Sequence, residues 1–191
     1  MMEPIDALER LENVTVVDGT QLPVELIGDP DAIPVVIDFR AFFADHHRPI
    51  ASALAMTLRD HELASDAAAE GMARAYQKWD DVGTYANPAG WVYRVGFNWA
   101  TSRRRKLMRE VFRSDPPDRA ARPGPAIEPE LDAALAALSV DQRSVVVLRY
   151  LLDWSESQTA DALHIAPGTV KSRLSRALDR LAVVLEDPDE S

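Results

Sequence analysis

Residues 114–126 read SDPPDRAARPGPA, with four prolines and one glycine in thirteen positions. Proline has no amide proton for a helix interior or a central strand, so no regular element is expected to run through this stretch. We read it as an interdomain linker dividing the 191-residue chain into two helical parts. Upstream, Phe39, Phe43, His47, Ile50 and Leu54 recur at three- and four-residue spacing, the mark of an amphipathic helix. A second helix is expected over about 62–79, with the helix-favouring run Ala67-Ala68-Ala69 and an apolar stripe of Met72, Ala73, Tyr76 and Trp79. Residues 79–86 read as a loop. Asn87-Pro88 then supplies an N-cap and a first-turn proline, starting a third helix that runs to about residue 112.

Beyond the linker three or four further helices are expected. Ser139 with Gln142 and Ser155 with Gln158 each fit a capping box and mark helix starts. The fold class is therefore all-α: two small helical domains on a Pro-rich tether, without internal repeat or heptad run. Residues 1–38 stand apart, with Pro4, Pro23, Pro30 and Pro34 and nine acidic groups against one basic. Val14–Val17 and Leu22–Ile27 are candidate short strands there, and the segment reads as a mobile acidic extension.

Several classes are excluded. Hydrophobic residues at 47% and charged residues at 27% describe a soluble globular chain. No apolar run approaches the roughly 20 residues of a membrane-spanning helix, and MMEPIDALERLE lacks the basic head and apolar stretch of a secretory signal. With no cysteine, disulfides, thiolate metal sites and a Cys nucleophile are ruled out, which fits a cytoplasmic location. His46 and His47 are adjacent and do not share a helix face, so they make a poor metal pair. We expect no catalytic residue, no metal and no cofactor.

The net charge of −10 conceals an asymmetry, because residues 87–113 carry seven basic groups and one acidic. Positive charge gathers in Arg103-Arg104-Arg105-Lys106 and again in Lys171, Arg173, Arg176 and Arg180. An acidic protein with its cations concentrated on single elements is suited to nucleic acid, although solvated helix faces look similar. Over residues 155–185 a short helix, a turn at His164-Ile165-Ala166 and a longer helix from near Pro167 fit a helix-turn-helix. In the longer helix Val170, Leu174, Ala177, Leu181 and Val184 share one face with Leu178 beside them, and Thr169, Ser172, Arg173, Arg176 and Arg180 project from the other. Arg reads guanine edges, and Lys, Ser and Thr hold phosphates; an ordinary bundle helix remains the alternative. In the helix from Pro88, Trp91, Val95 and Trp99 share a face, while Tyr93 and Phe97 lie near Arg94 and Arg104. That pattern suits stacking on unpaired bases, or equally a helix buried on two sides with a basic tail.

The run ALAALSVDQRSVVVLRYLLDWSESQTADALHIAPGTVKSRLSRALDRL resembles region 4 of bacterial RNA polymerase sigma factors of the extracytoplasmic-function group. Pro88-x-x-Trp91, Asn98 and the following Arg-Arg-Arg resemble sigma region 2, as does SDAAAEGMARAYQKW before them. Ala69 stands where glutamine is usual, His164 where the turn often has glycine, and Ala166 where serine is usual. The resemblance implies an alternative sigma factor, not an enzyme, with region 2 over 39–113, the linker over 114–126 and region 4 over 127–186. It implies that Asp66, Glu70, Met72, Ala73 and Arg74 dock on the clamp of the largest subunit of core RNA polymerase. Val82, Thr84, Tyr85, Asn87, Trp91, Arg94, Asn98, Arg103, Arg104 and Arg105 would meet the minus-ten element, with 80–86 capturing a flipped base. Thr169, Lys171, Ser172, Arg173 and Arg176 would read the minus-thirty-five element. Promoter DNA, the flap of the second-largest subunit and an anti-sigma factor are the further partners it suggests. The rival reading is a helix-turn-helix regulator that does not engage polymerase. Residues 1–38 (−8) either compete with DNA for the basic surfaces or take no part.

Overall fold

The structure, a computed structural model, describes residues 14–17, 20–23, 38–111 and 129–186. The chain divides into two units, residues 1–35 and 36–191. In the first, β1 (Val14–Val17) and β2 (Thr20–Pro23) pair antiparallel, Val14 opposite Pro23 and Val17 opposite Thr20. The second strand thus begins before the expected Leu22. Asp18-Gly19, the residues between, are a pair favoured in two-residue hairpin connections. The remainder of the expected acidic extension, and the Pro-rich linker, lie outside the described residues.

The second unit is all-α among its described residues. Helix α1 (Phe39–Leu58) stops at Arg59, which turns left-handed (φ 53°) and returns its N–H to the Ala55 carbonyl at 2.8 Å. Asp60 immediately caps α2 (His61–Gln77), its carboxylate accepting the Leu63 amide at 3.0 Å. The segment expected as a loop begins with a single turn, α3 (Trp79–Val82). The expected cap of α4 (Pro88–Val111) is present, with Asn87 Oδ1 accepting the Gly90 amide at 2.7 Å.

Small residues bring α2 and α4 together. A Cβ at Gly96 would lie 2.6 Å from the Ala67 carbonyl oxygen, and one at Gly71 2.7 Å from that of Val92. The buried face of α2 is therefore Ala64, Ala67, Ala68, Gly71, Met72 and Ala75. This corrects the expected stripe: Ala73 and Tyr76 point outward, because a close helix crossing selects side chains that let the backbones approach. Tyr76 instead joins Phe39, whose ring also meets those of Phe42 and Trp79.

The second part comprises α5 (Pro129–Ala136), α6 (Val140–Tyr150), α7 (Glu156–Leu163) and α8 (Pro167–Glu186). Both capping boxes form, on Ser139 and Ser155. His164 ends α7 in the left-handed conformation (φ 54°), where a glycine would meet no steric cost. Arg143, 6% exposed, donates to the carbonyls of Leu135 (2.7 Å), Leu138 (2.7 Å) and Thr57 (2.9 Å). The first two close the end of α5 and its turn; the third belongs to the last turn of α1.

The helical parts divided by the linker do not keep separate cores. Val147, Leu148 and Ala162 are buried in one apolar cluster with Phe42, Ile50, Leu54, Val92 and Tyr93, and Trp154 and Leu163 pack against it. The Tyr93 ring stands edge-on to Trp154, centroids 6.1 Å apart, and its hydroxyl shares a 2.9 Å hydrogen bond with Thr57 Oγ1. Burial raises the Tyr93 pKa, with the Thr57 bond opposing it.

Candidate nucleic-acid interface

In α8, Val170 and Ala177 are buried, and Leu174, Leu181 and Val184 are half-buried, so the expected apolar face holds, whereas Leu178, expected beside it, is exposed. The polar residues divide into two groups. Arg173 is half-buried and tied to Asp141 at the start of α6, Nη2 to Oδ2 2.7 Å. Arg180 donates Nε–H to the Ala137 carbonyl at 2.7 Å. These two arginines fasten one flank of α8 to the α5–α6 turn. Lys171 and Arg176 are exposed; Thr169 and Ser172 are half-buried, Ser172 donating to the Thr169 carbonyl at 3.1 Å. The outward face thus offers one Lys, one Arg and two hydroxyl groups at the N-terminal half of the helix. That is where a recognition helix meets base edges, with the helix dipole adding partial positive charge.

Helix α4 carries the other basic surface. Arg103, Arg104 and Arg105 are exposed on its last turns, and the Arg103 guanidinium lies 5.2 Å from the Trp99 ring centroid. Arg74 from α2 joins Val95, Asn98, Trp99, Ser102, Arg103 and Lys106 around a cleft of about 530 Å³. Cations beside an indole suit phosphate contact with a stacked base. Thr84 and Tyr85 are exposed just before α4.

Other expected contacts face elsewhere. Val82 (1% exposed) and Met72 (2%) are core residues, so their side chains support the surface and do not form it. Asn87 is half-buried with Oδ1 engaged as the α4 cap, and its Nδ2 is buried without a partner. Trp91 is half-buried against the core. Arg94 is half-buried, and its Nη1 reaches the Asp161 carbonyl of α7 at 3.5 Å. On α2, Asp66, Ala73 and Arg74 are exposed, with Arg74 Nη2 2.7 Å from Glu70 Oε1. Sequence reasoning missed Asp141 and Arg143, which no local pattern separates from surface charge. Among the described residues no group of His, Asp and Glu could hold a metal ion, and no helix is long and apolar enough to cross a membrane.

A helix-turn-helix with a second helix carrying exposed arginines fits the class of DNA-binding proteins. The family model for sigma-70 region 4 matches residues 129–181. Among curated proteins, the chain is 34% identical over 155 residues to the ECF RNA polymerase sigma factor SigL of Mycobacterium tuberculosis, 75% of this chain and 86% of that one. It is 34% identical over 161 residues to the RNA polymerase sigma-E factor of Streptomyces avermitilis, covering 81% and 88%. Among solved structures, the sigma factor RpoE in complex with the anti-sigma factor NepR from Bartonella quintana superposes with TM-score 0.67 at 28% identity, covering 78% of this chain and 97% of that one. The chain belongs to the extracytoplasmic-function family of RNA polymerase sigma factors. It is an alternative sigma factor that directs transcription initiation.

Proposed function

We propose a division of labour between the two helical parts. Residues 39–113 bind core polymerase through Asp66, Glu70, Ala73 and Arg74 and hold the minus-ten element on Thr84, Tyr85, Asn98 and Arg103–Arg105. Residues 127–186 read the minus-thirty-five element through Thr169, Lys171, Ser172 and Arg176, and the linker over 114–126 tethers the two. The observation that carries this is the outward set on α8, where Lys171 and Arg176 stand exposed over a buried apolar face. Extruding a base costs a few kcal/mol, and stacking returns about 1–3 kcal/mol per base, so phosphate contacts from the arginines tip the balance. Two weak readers on one tether gain by effective concentration, which makes promoter spacing part of specificity. The clamp and flap of polymerase, and an anti-sigma protein such as the one bound by the Bartonella relative, are the partners this reading names. The polymerase performs the chemistry in the cytoplasm, and the chain contributes no catalytic group.

The test is Arg176→Ala in holoenzyme. It should relax selection at one upstream base pair by roughly 1–3 kcal/mol while leaving selection in the minus-ten element unchanged. A uniform loss across all sequences would make Arg176 a phosphate contact and remove it from the reading set.

A further inference from the structure

We propose that Asp141 is a positioning residue that restrains the upstream reader. By holding Arg173 in an ion pair it withholds one phosphate contact, and so sets how tightly α8 grips DNA without setting which bases α8 selects. This rests on the reading of α8 as the helix that enters the minus-thirty-five element. Val170, Leu174, Ala177, Leu181 and Val184 form the inward face of α8, and at about 100° per residue they fix an outward line opposite. Ser172 lies about 20° from that line and Arg176 about 60°. Thr169 and Lys171 lie about 80° from it on opposite sides, and Arg180 and Arg173 lie about 100° and 120° from it on the side of Thr169.

A helix about 10–12 Å across nearly fills a major groove about 12 Å wide. Residues near the outward line therefore meet base edges, and residues on its flanks meet the phosphate walls of the groove. Lys171 faces one wall; Thr169, Arg173 and Arg180 face the other. Along that second wall the two arginines differ in their partners. Arg180 donates to the Ala137 carbonyl at 2.7 Å, so its positive charge is not neutralised. Arg173 Nη2 instead lies 2.7 Å from Asp141 Oδ2. Among the described residues, Arg173 is the one cation of α8 with a carboxylate partner.

The carboxylate is not needed to start α6. Ser139 and Gln142 supply the cap of that helix, and Ser144 Oγ donates to the backbone carbonyl of Asp141, not to its side chain. The side chain of Asp141 is 60% exposed and that of Arg173 27%, so a phosphate nearing this flank meets a carboxylate in front of a neutralised guanidinium. A phosphate contact carries no sequence information, so withholding it lowers affinity on matched and mismatched elements alike. An exposed pair of this kind shifts an equilibrium by up to about fivefold, which bounds the restraint.

The experiment uses the full chain in holoenzyme with core polymerase. It is titrated at several salt concentrations against a promoter recovered by run-off, and against copies with single substitutions in the upstream element. Asp141→Asn should tighten binding by about two- to fivefold on every copy alike. It should also steepen the slope of log affinity against log salt by up to about 0.9, the value of one added phosphate contact. Asp141→Ser, equally neutral and suited to a first helical turn, should do the same, and Asp141→Glu should keep the wild-type values. In an Arg173→Ala background Asp141→Asn should change neither reading, because the effect passes through Arg173. An effect that persists there belongs to the lost negative charge alone and overturns the proposal. Altered selection at one base pair makes Arg173 a base reader, and weaker binding means that Asp141 aims Arg173 at DNA; each overturns it as well. So do unchanged affinity and slope, or disagreement between the two neutral variants. If Lys171→Ala and Arg176→Ala leave binding to every copy as it was, the reading of α8 fails first, and the proposal falls with it.

Discussion

The two helical parts are held together by different physics. The first part closes on apolar packing at short range: Gly71 and Gly96 let α2 and α4 approach until a methyl group would collide, and Leu54, Ala67, Val92 and Tyr93 fill the space behind. The second part has smaller apolar clusters of its own, Leu135, Leu138 and Ala177 in one and Val145, Ala160 and Val170 in the other. Its helices are joined by guanidinium groups bonded to carbonyls: Arg143 to Leu135 and Leu138, Arg149 to Trp154, and Arg180 to Ala137. A positive charge therefore means different things in the two parts. Arg103–Arg105 are surface cations available to phosphate, whereas Arg143, Arg173 and Arg180 act first as structural ties.

The sharpest way to break this contrast is to remove the central tie. Arg143→Met should cost about 3 kcal/mol in urea unfolding, since three carbonyls lose a charged donor in a buried setting. A loss below about 1 kcal/mol would mean that the apolar clusters suffice. Next comes the converse change in the first part. Gly96→Ala should cost about 1–3 kcal/mol by overpacking the α2–α4 crossing; a neutral result would show that the helices can yield.

Smaller effects separate arginines exposed on their own helix from those tied to another element. Replacing Arg103, Arg104 and Arg105 with Ala should leave stability within about 0.5 kcal/mol. The slope of log affinity for DNA against log salt should become shallower by about 0.7–0.9 for each phosphate that no longer meets an arginine. Arg173→Ala should instead lower stability by up to about 1 kcal/mol, and titration of promoter DNA by holoenzyme at several salt concentrations distinguishes the two patterns. The smallest effect concerns pH. The hydrogen bond from Arg59 holds the Asp132 carboxyl below the usual carboxylate range. Because the folded value lies below the unfolded one, the contribution is complete above that range and disappears as pH falls through the depressed value. The stability gap between wild type and Asp132→Asn should accordingly close on acidification below about pH 4.

Features with local chemistry were legible in the sequence. The Asn87-Pro88 start, both Ser-x-x-Gln boxes and the Pro167 start stand where residue type alone places them. The apolar face of α8 was legible for the same reason, because its period is strict. The expected stripe of Met72, Ala73, Tyr76 and Trp79 holds at Met72 and Trp79, which meet the core, and fails at Ala73 and Tyr76, because the closest packing on α2 belongs to alanine and glycine. The pairings of Arg143 with Thr57, and of Tyr93 with Trp154, span 86 residues and 61 residues respectively, and no local pattern encodes a pairing at that distance. Asp18-Gly19 did carry a hairpin signal, and it fixes the start of β2 better than the apolar run after it.

If the proposed division of labour holds, the chain makes core polymerase start at sites defined by two spaced motifs. The most direct test is run-off transcription by purified core polymerase across a fragment library of the source genome, with and without the protein. New start sites sharing an upstream and a minus-ten motif at fixed separation are expected. A protein that binds core polymerase and DNA yet yields no new start sites would contradict it.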